Sequence, residues 1–232
     1  MLKKIPFIFL TFLFAANINL YAQALISNDA GIWNTFTIQH DLNKKNTISI
    51  DQELRFKENY SQVNLFYTQL SVAYKITKSW KIEPSFRHID KVKNDGTLSF
   101  RNRFSVDLTY KKKIKKFSFS QRGRYQMEYR DIFTSKQKWL NEKYFRLRTL
   151  LEYTGNERFQ PYYSCEFRYQ IDVPGSDVQF NGNWHRIRNV LGVNIEINKK
   201  QTLNIYYLVQ NEFNISPPEN SYITGLQYSI KL

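Results

Sequence analysis

The sequence predicts an all-β protein, an antiparallel up-and-down β-barrel that crosses a membrane with about 12 strands, or about 10 as the alternative, and no helical domain. Three observations carry the prediction. Apolar and polar residues alternate with a period of two from about Ile32 to the terminal Leu232, which means strands whose two faces meet different environments. A leader of the export type precedes the alternation. The connections between alternating stretches are by turns short and long, the asymmetry of outer-membrane barrels.

The leader has three parts. Lys3 and Lys4 form a positive start, Ile5 to Ala16 an apolar run, and Leu20-Tyr21-Ala22 a cleavage site before Gln23. Residues 1–22 thus read as a secretory signal peptide, leaving 23–232 as a single barrel domain. The alternative, a membrane anchor, fits the short apolar run and its flanks less well. No cysteine stands directly after the run, so the sequence shows no lipoprotein signal there. Beyond residue 23 no run of 18 apolar residues occurs, which excludes helical membrane spans. The negative mean hydropathy is compatible with a barrel, because only alternate residues of a barrel strand face lipid.

Clear strands are expected at 31–40, 47–57, 63–76, 80–90, 97–110, 117–130, 143–153, 160–172, 184–197, 201–213 and 221–232. In the second, Ile48, Ile50, Leu54 and Phe56 alternate with Ser49, Asp51, Glu53 and Arg55. The third changes phase between Tyr67 and Leu70, which reads as a bulge. The fourth starts at Trp80 after a short turn. In the fifth, Leu98, Phe100, Phe104, Val106 and Leu108 alternate with Ser99, Arg101, Arg103, Ser105 and Asp107. The eighth keeps Tyr163, Cys165, Phe167 and Tyr169 in one phase, so the lone Cys165 reads as a small hydrophobe. The last sets Tyr222, Leu226, Tyr228, Ile230 and Leu232 against Gly225, Gln227, Ser229 and Lys231. An even count requires one more strand, expected as a short one from residues 23–29.

The connections near 41–46, 77–79, 111–116, 154–159 and 198–200 are mostly short, and those at 130–142, 172–183 and 214–220 mostly longer. A periplasmic C-terminus puts the short turns in the periplasm. The chain carries 18 Phe and 16 Tyr; Trp80 sits beside a short turn, and Trp139 and Trp184 at the long-loop end. Aromatic girdles at both interfaces predict such placement. The alternative is a secreted soluble β-barrel or sandwich that binds an anionic ligand. It accounts less well for so many Tyr and Phe on one face and so many Arg on the other.

Net charge is +14, from 34 basic and 20 acidic residues. A basic balance points to nucleic acid, anionic lipid or an anionic solute, and export disfavours nucleic acid. Much of the charge lies in Lys-rich turns. The polar face is more specific. Arg101/Arg103, Arg122/Arg124, Arg146/Arg148 and Arg186/Arg188 are spaced by two, so each pair points to one side of its strand. With Arg87 and Arg168 they fall in the middle or outer half of the expected barrel. Asp51, Glu53, Glu83, Glu128, Glu152, Glu166, Glu196 and Glu212 share that face. Simple hairpin registers set Glu83 near Arg103, Arg148 near Glu166 and Arg186 near Glu212, and facing opposite charges help fix register. Two readings stay open: an Arg-rich outer lumen that attracts small anionic solutes through bidentate guanidinium contacts, and a self-neutralised ladder that plugs the barrel.

Catalysis has little support. His40, His88 and His185 are the only histidines, none in metal-ligand spacing. GxSxG, P-loop, GxGxxG and zinc patterns are missing. The expectation is a non-enzyme without cofactor or metal, with an outer-membrane lipid hydrolase as the alternative. Gly225, Tyr228, Ile230 and the terminal Leu232 are expected to act as a signal to the barrel-assembly machinery. The other expected partners are outer-membrane lipids and a small anionic solute; oligomeric state is open.

Glu53-Leu54-Arg55-Phe56, Arg101-Asn102-Arg103-Phe104, the run Arg122 to Arg130, Phe145-Arg146-Leu147-Arg148 and Arg186-Ile187-Arg188 together resemble a known family. It is the uncharacterised Bacteroidetes outer-membrane proteins grouped as domain of unknown function 2490. The resemblance runs from Trp33 onward. It implies an outer-membrane barrel of a Gram-negative bacterium with no established activity, and it supplies no catalytic residues.

Overall fold

The computed structural model describes residues 27–93, 95–130, 140–172, 182–215 and 217–232. The leader at 1–22, the segment 23–26 and Trp139 lie outside the described residues. Eleven strands are described: β1 Ser27–Asp41, β2 Asn46–Lys57, β3 Gln62–Lys75, β4 Trp80–Val92, β5 Leu98–Ile114, β6 Phe117–Arg130, β7 Leu140–Tyr153, β8 Phe159–Asp172, β9 Asn183–Asn198, β10 Gln201–Glu212 and β11 Glu219–Lys231. They form one closed barrel in sequence order. Every sequential pair is antiparallel, while β1 and β11 close the barrel in parallel, from Ser27 against Glu219 to Gln39 against Lys231. Among the described residues there is no helix.

The all-β barrel class holds, but the described count is eleven rather than twelve or ten. Residues 27–29 do not form a strand of their own. They continue without a turn into β1, where Asp29 already pairs with Ser221. One uninterrupted strand therefore replaces the expected two, and the odd count makes the closure parallel.

The period of two places two different solvents on the two faces. Phe36, Ile50, Phe66, Leu70, Phe104, Val106, Leu151, Phe167, Leu191 and Leu226 are all exposed on the outside. Side chains facing in are mostly polar, and Thr37, Gln69, Ser71, Ser105, Ser118, Gln126, Glu128 and Ser164 are buried there. The interior is thus held by ion pairs and hydrogen bonds, while the large apolar surface faces outward. Aromatic clusters mark both ends of the outside: Trp80 with Tyr110 at the short-turn end, and Trp184 with Phe167 and Tyr169 at the other.

Two register expectations need correction. The phase change in β3 is not a bulge at Tyr67. Tyr67 faces inward and donates to Glu53 at 2.9 Å, while Phe66 and Leu70 stay outside. The irregularity lies three residues earlier, where Arg55 pairs Leu65 but Phe56 pairs Val63, leaving Asn64 extra. Glu83 is opposite Asp107 rather than Arg103, and Arg87 is opposite Arg103. The β4–β5 turn is tight and centred on Asp95, with Gly96 at φ 81° and Lys93 N–H donating to the Thr97 carbonyl at 2.8 Å. That centre shifts the whole pairing along the strand, in a step that keeps every side chain on its own face.

Candidate functional site

The lumen at the long-loop end holds a cavity of about 680 Å³. Its wall runs from Asp29, Lys57, Lys91 and Glu219 near that mouth down to Asn194, Asn204 and Gln227. Below that level the lumen is filled. Thr37, Ser71 and Ser118 are at most 2% exposed although they point inward. Thr37 donates to Asp51 at 2.8 Å, Gln69 donates to Asp51 at 3.0 Å, and Gln227 donates to Thr37 at 3.2 Å. Some links cross between strands that are not neighbours: Asn194 of β9 donates to Glu152 of β7 at 2.9 Å, and Asn204 of β10 meets the Tyr162 hydroxyl of β8 at 3.1 Å.

Twelve Arg and two Lys line the cavity against eight Asp and Glu. All ten arginines named from the sequence are among them, with Glu166 and Glu212. Glu83 is not; it sits nearer the short turns and pairs with Lys81 at 2.6 Å.

The ion pairs are uneven. Arg101 and Arg103 both reach Glu128, at 3.1 and 2.6 Å. Arg124 makes a two-point contact with Asp107 at 2.5 and 2.7 Å. Glu166 takes Arg122 at 2.6 Å, Arg146, and more distantly Arg188 at 3.7 Å. Arg186 pairs with Glu212, both in register and as an ion pair. Arg148 stands opposite Glu166 in register, but the other three arginines occupy that carboxylate. Arg148 Nε is buried without a hydrogen-bond partner. Arg168 donates to Nε2 of His185 at 2.8 Å and lies over the Tyr144 ring, with no carboxylate in ion-pair distance among the described residues.

Aromatic rings supply the rest of the wall. Arg55 stacks on Trp33 and Arg87 on Tyr67, each 3.6 Å from the ring centroid, a geometry in which the ring face attracts the cation. Two inward tyrosines fit because a facing strand carries glycine. A Cβ on Gly192 would lie 2.6 Å from the Tyr162 ring, and one on Gly225 would overlap the ring of Tyr206. Gly225 thus has a packing role in the lumen, and Tyr228 and Ile230 alternate with it toward the outside.

Residues not foreseen at the site are Arg55, Arg130, Glu142, His185 and the rings of Trp33, Tyr67, Tyr144 and Tyr206. Arg55 was legible, since it is in phase with Asp51 and Glu53. His185 was not. It is the extra residue where β9 slips against β8, between Arg168↔Arg186 and Tyr169↔Trp184, and the slip turns it inward.

Fold and site define a barrel turned inside out, apolar outside and basic within. A family model described as "Protein of unknown function (DUF2490)" matches residues 30–221, and the chain belongs to that family. No curated protein matches it. Among solved structures, one titled "NanC porin structure in rhombohedral crystal form" is similar at 15% identity, covering 78% of this chain and 85% of that one with a TM-score of 0.49. At that level nothing about function transfers.

Proposed function

We propose that the protein is an integral outer-membrane barrel that takes small anions into its lumen and serves as a narrow, anion-selective passage. The observation that carries the reading is the excess of basic over acidic side chains around the cavity at the long-loop end. A low-dielectric wall with an excess of one sign of charge concentrates counter-ions of the other sign. The outward apolar face and its aromatic ends suit a bilayer, so lipid is the outer solvent. The leader fits export, and the short turns are taken as periplasmic. The side chains filling the short-turn half must part for an ion to pass. No residue constellation among the described residues favours an enzyme.

The test is a planar-bilayer measurement under a salt gradient. A reversal potential favouring chloride over potassium is expected, moving toward neutrality when Arg148 and Arg168 are both changed to Gln. A correctly inserted barrel that never conducts would remove the passage. The second reading, a structural barrel with a plugged lumen, is favoured by the filled short-turn half and predicts that silent outcome.

A further inference from the structure

We propose that the lumen wall of β6 to β9 contains a specific oxyanion site, anchored by Arg148 and Arg168, for a small soluble phosphate or carboxylate. The proposal rests on the reading of the lumen as open to anions and adds a site, a chemistry and the residues that hold it.

The register places eight side chains in two rows across four neighbouring strands. Arg124, Arg146, Arg168 and Arg186 stand directly opposite one another in sequence, as do Arg122, Arg148, Glu166 and Arg188 in the row beneath. Seven of the eight are arginines. Like charges directly opposite on adjacent strands repel, so this wall needs compensating negative charge. The protein supplies three carboxylates: Asp107 and Glu212 at the flanks, and Glu166 in the middle. Asp107 is held by Arg124, with Arg122 at 3.4 Å, and Glu212 by Arg186. Glu166 is shared among Arg122, Arg146 and Arg188. Three carboxylates against seven arginines leave an excess of four positive charges on this wall, and Arg148 and Arg168 are its two arginines with no carboxylate in ion-pair distance among the described residues.

Those two are placed to act together. Arg148 faces Glu166 and Arg168 faces Arg146 across β7 and β8, so they are diagonal neighbours with Cα atoms about 7–8 Å apart. Arg148 Nε is buried without an acceptor. Arg168 spends its Nε on the neutral acceptor His185. Both line the cavity. Planar guanidinium forks match the oxygens of phosphate and carboxylate two at a time, which a spherical halide cannot satisfy. The wall points into the lumen, while Phe145, Leu147, Phe167 and Ile187 alternate on the lipid side, so a soluble solute rather than a lipid headgroup reaches it. The cavity has room for a small organic anion.

The test is titration of the refolded full-length barrel in detergent with inorganic phosphate, followed by calorimetry, with chloride as the competing ion. Saturable binding that chloride displaces only weakly is expected. Arg148→Gln with Arg168→Gln should weaken it by roughly tenfold or more, the loss of one charge-assisted contact or better. Lys112→Gln with Lys113→Gln removes the same charge from the exposed short-turn end and should change it less than about twofold. Heat-modifiable gel migration verifies folding. Should the double Gln variant not fold, Arg148→Lys and Arg168→Lys keep the charge but lose the fork, and each should weaken binding measurably. Absence of saturable phosphate binding, an unchanged affinity in the Arg variants, or an equal loss in the Lys control would overturn the site. Phosphate binding by a barrel that passes no current would keep the site and remove the passage. Anion-selective current without phosphate binding would do the reverse.

Discussion

Replacing Glu166 by Gln removes the one negative charge inside a wall of seven arginines. Its carboxylate takes Arg122 at 2.6 Å, Arg146, and Arg188 at 3.7 Å, and its side chain is only 8% exposed. Removing one partner of a buried ion pair costs about 3–5 kcal/mol, because the remaining charges stay buried and uncompensated. Gln keeps one acceptor oxygen, so the lower end, about 3 kcal/mol, is expected. At 1.4 kcal/mol per factor of ten, that shifts the folding equilibrium by roughly a hundredfold. The assay is urea unfolding and refolding in micelles, read by tryptophan fluorescence, at low salt. Two further measurements separate electrostatics from packing. Arg146→Gln in the same chain removes one of the stranded charges and should recover part of the loss. Phosphate at about one hundred times its Kd should recover about 2.7 kcal/mol by mass action. A Glu166→Gln barrel as stable as the parent would refute the charge balance described for this wall. So would a loss that neither Arg146→Gln nor phosphate relieves.

Two other outcomes are expected. Gly225→Ala should destabilise the barrel by about 1–3 kcal/mol, the cost of forcing a group into filled space, because the new Cβ overlaps the Tyr206 ring. In a Tyr206→Ala background, where the ring is gone, the same Gly225→Ala change should cost much less in urea melts; an undiminished cost would mean that Gly225 matters through recognition during assembly instead. Deleting Tyr228 to Leu232 removes pairing with β1 from Phe36 onward and with β10 at Gln201 to Leu203. Heat-modifiable migration and outer-membrane recovery should both be lost, and normal levels of the truncated protein would contradict the closure described.

Much of the barrel was legible because a strand has only two faces. Once Leu98, Phe100 and Phe104 are outside, Arg101 and Arg103 must be inside, and the arginines followed wherever the alternation was unbroken. Three things were not legible. An aromatic does not announce its face: Tyr67 reads as outward, yet it lies under Arg87 in the lumen, and the apparent phase change in β3 is that misreading. Hairpin pairing depends on the turn centre, and a shift at Asp95 moved Glu83 from Arg103 to Asp107. Partners two strands away are invisible to any hairpin argument. Glu166 on β8 was matched to Arg148 on β7, but it is held in part by Arg122 on β6. Which arginine is left without a carboxylate is a property of the closed barrel, and therefore appears only once it closes.

The parallel seam between β1 and β11 has a topological consequence. Ser27 lies at the long-loop mouth beside Glu219, whereas Lys231 lies at the other end beside Gln39. In the proposed orientation, with the short turns in the periplasm, Ser27, Asn28 and Asp29 would cross the hydrocarbon once during assembly, a polar strand end delivered to the cell surface. An epitope placed before Ser27 should then be reached by antibody on intact cells, and one after Leu232 only in opened cells. Joining the two ends into a circle would need about ten extended residues to span the barrel height, and the one aqueous route is the lumen, whose filled short-turn half they would have to displace. A linker laid there would lie along the same arginines that face the cavity.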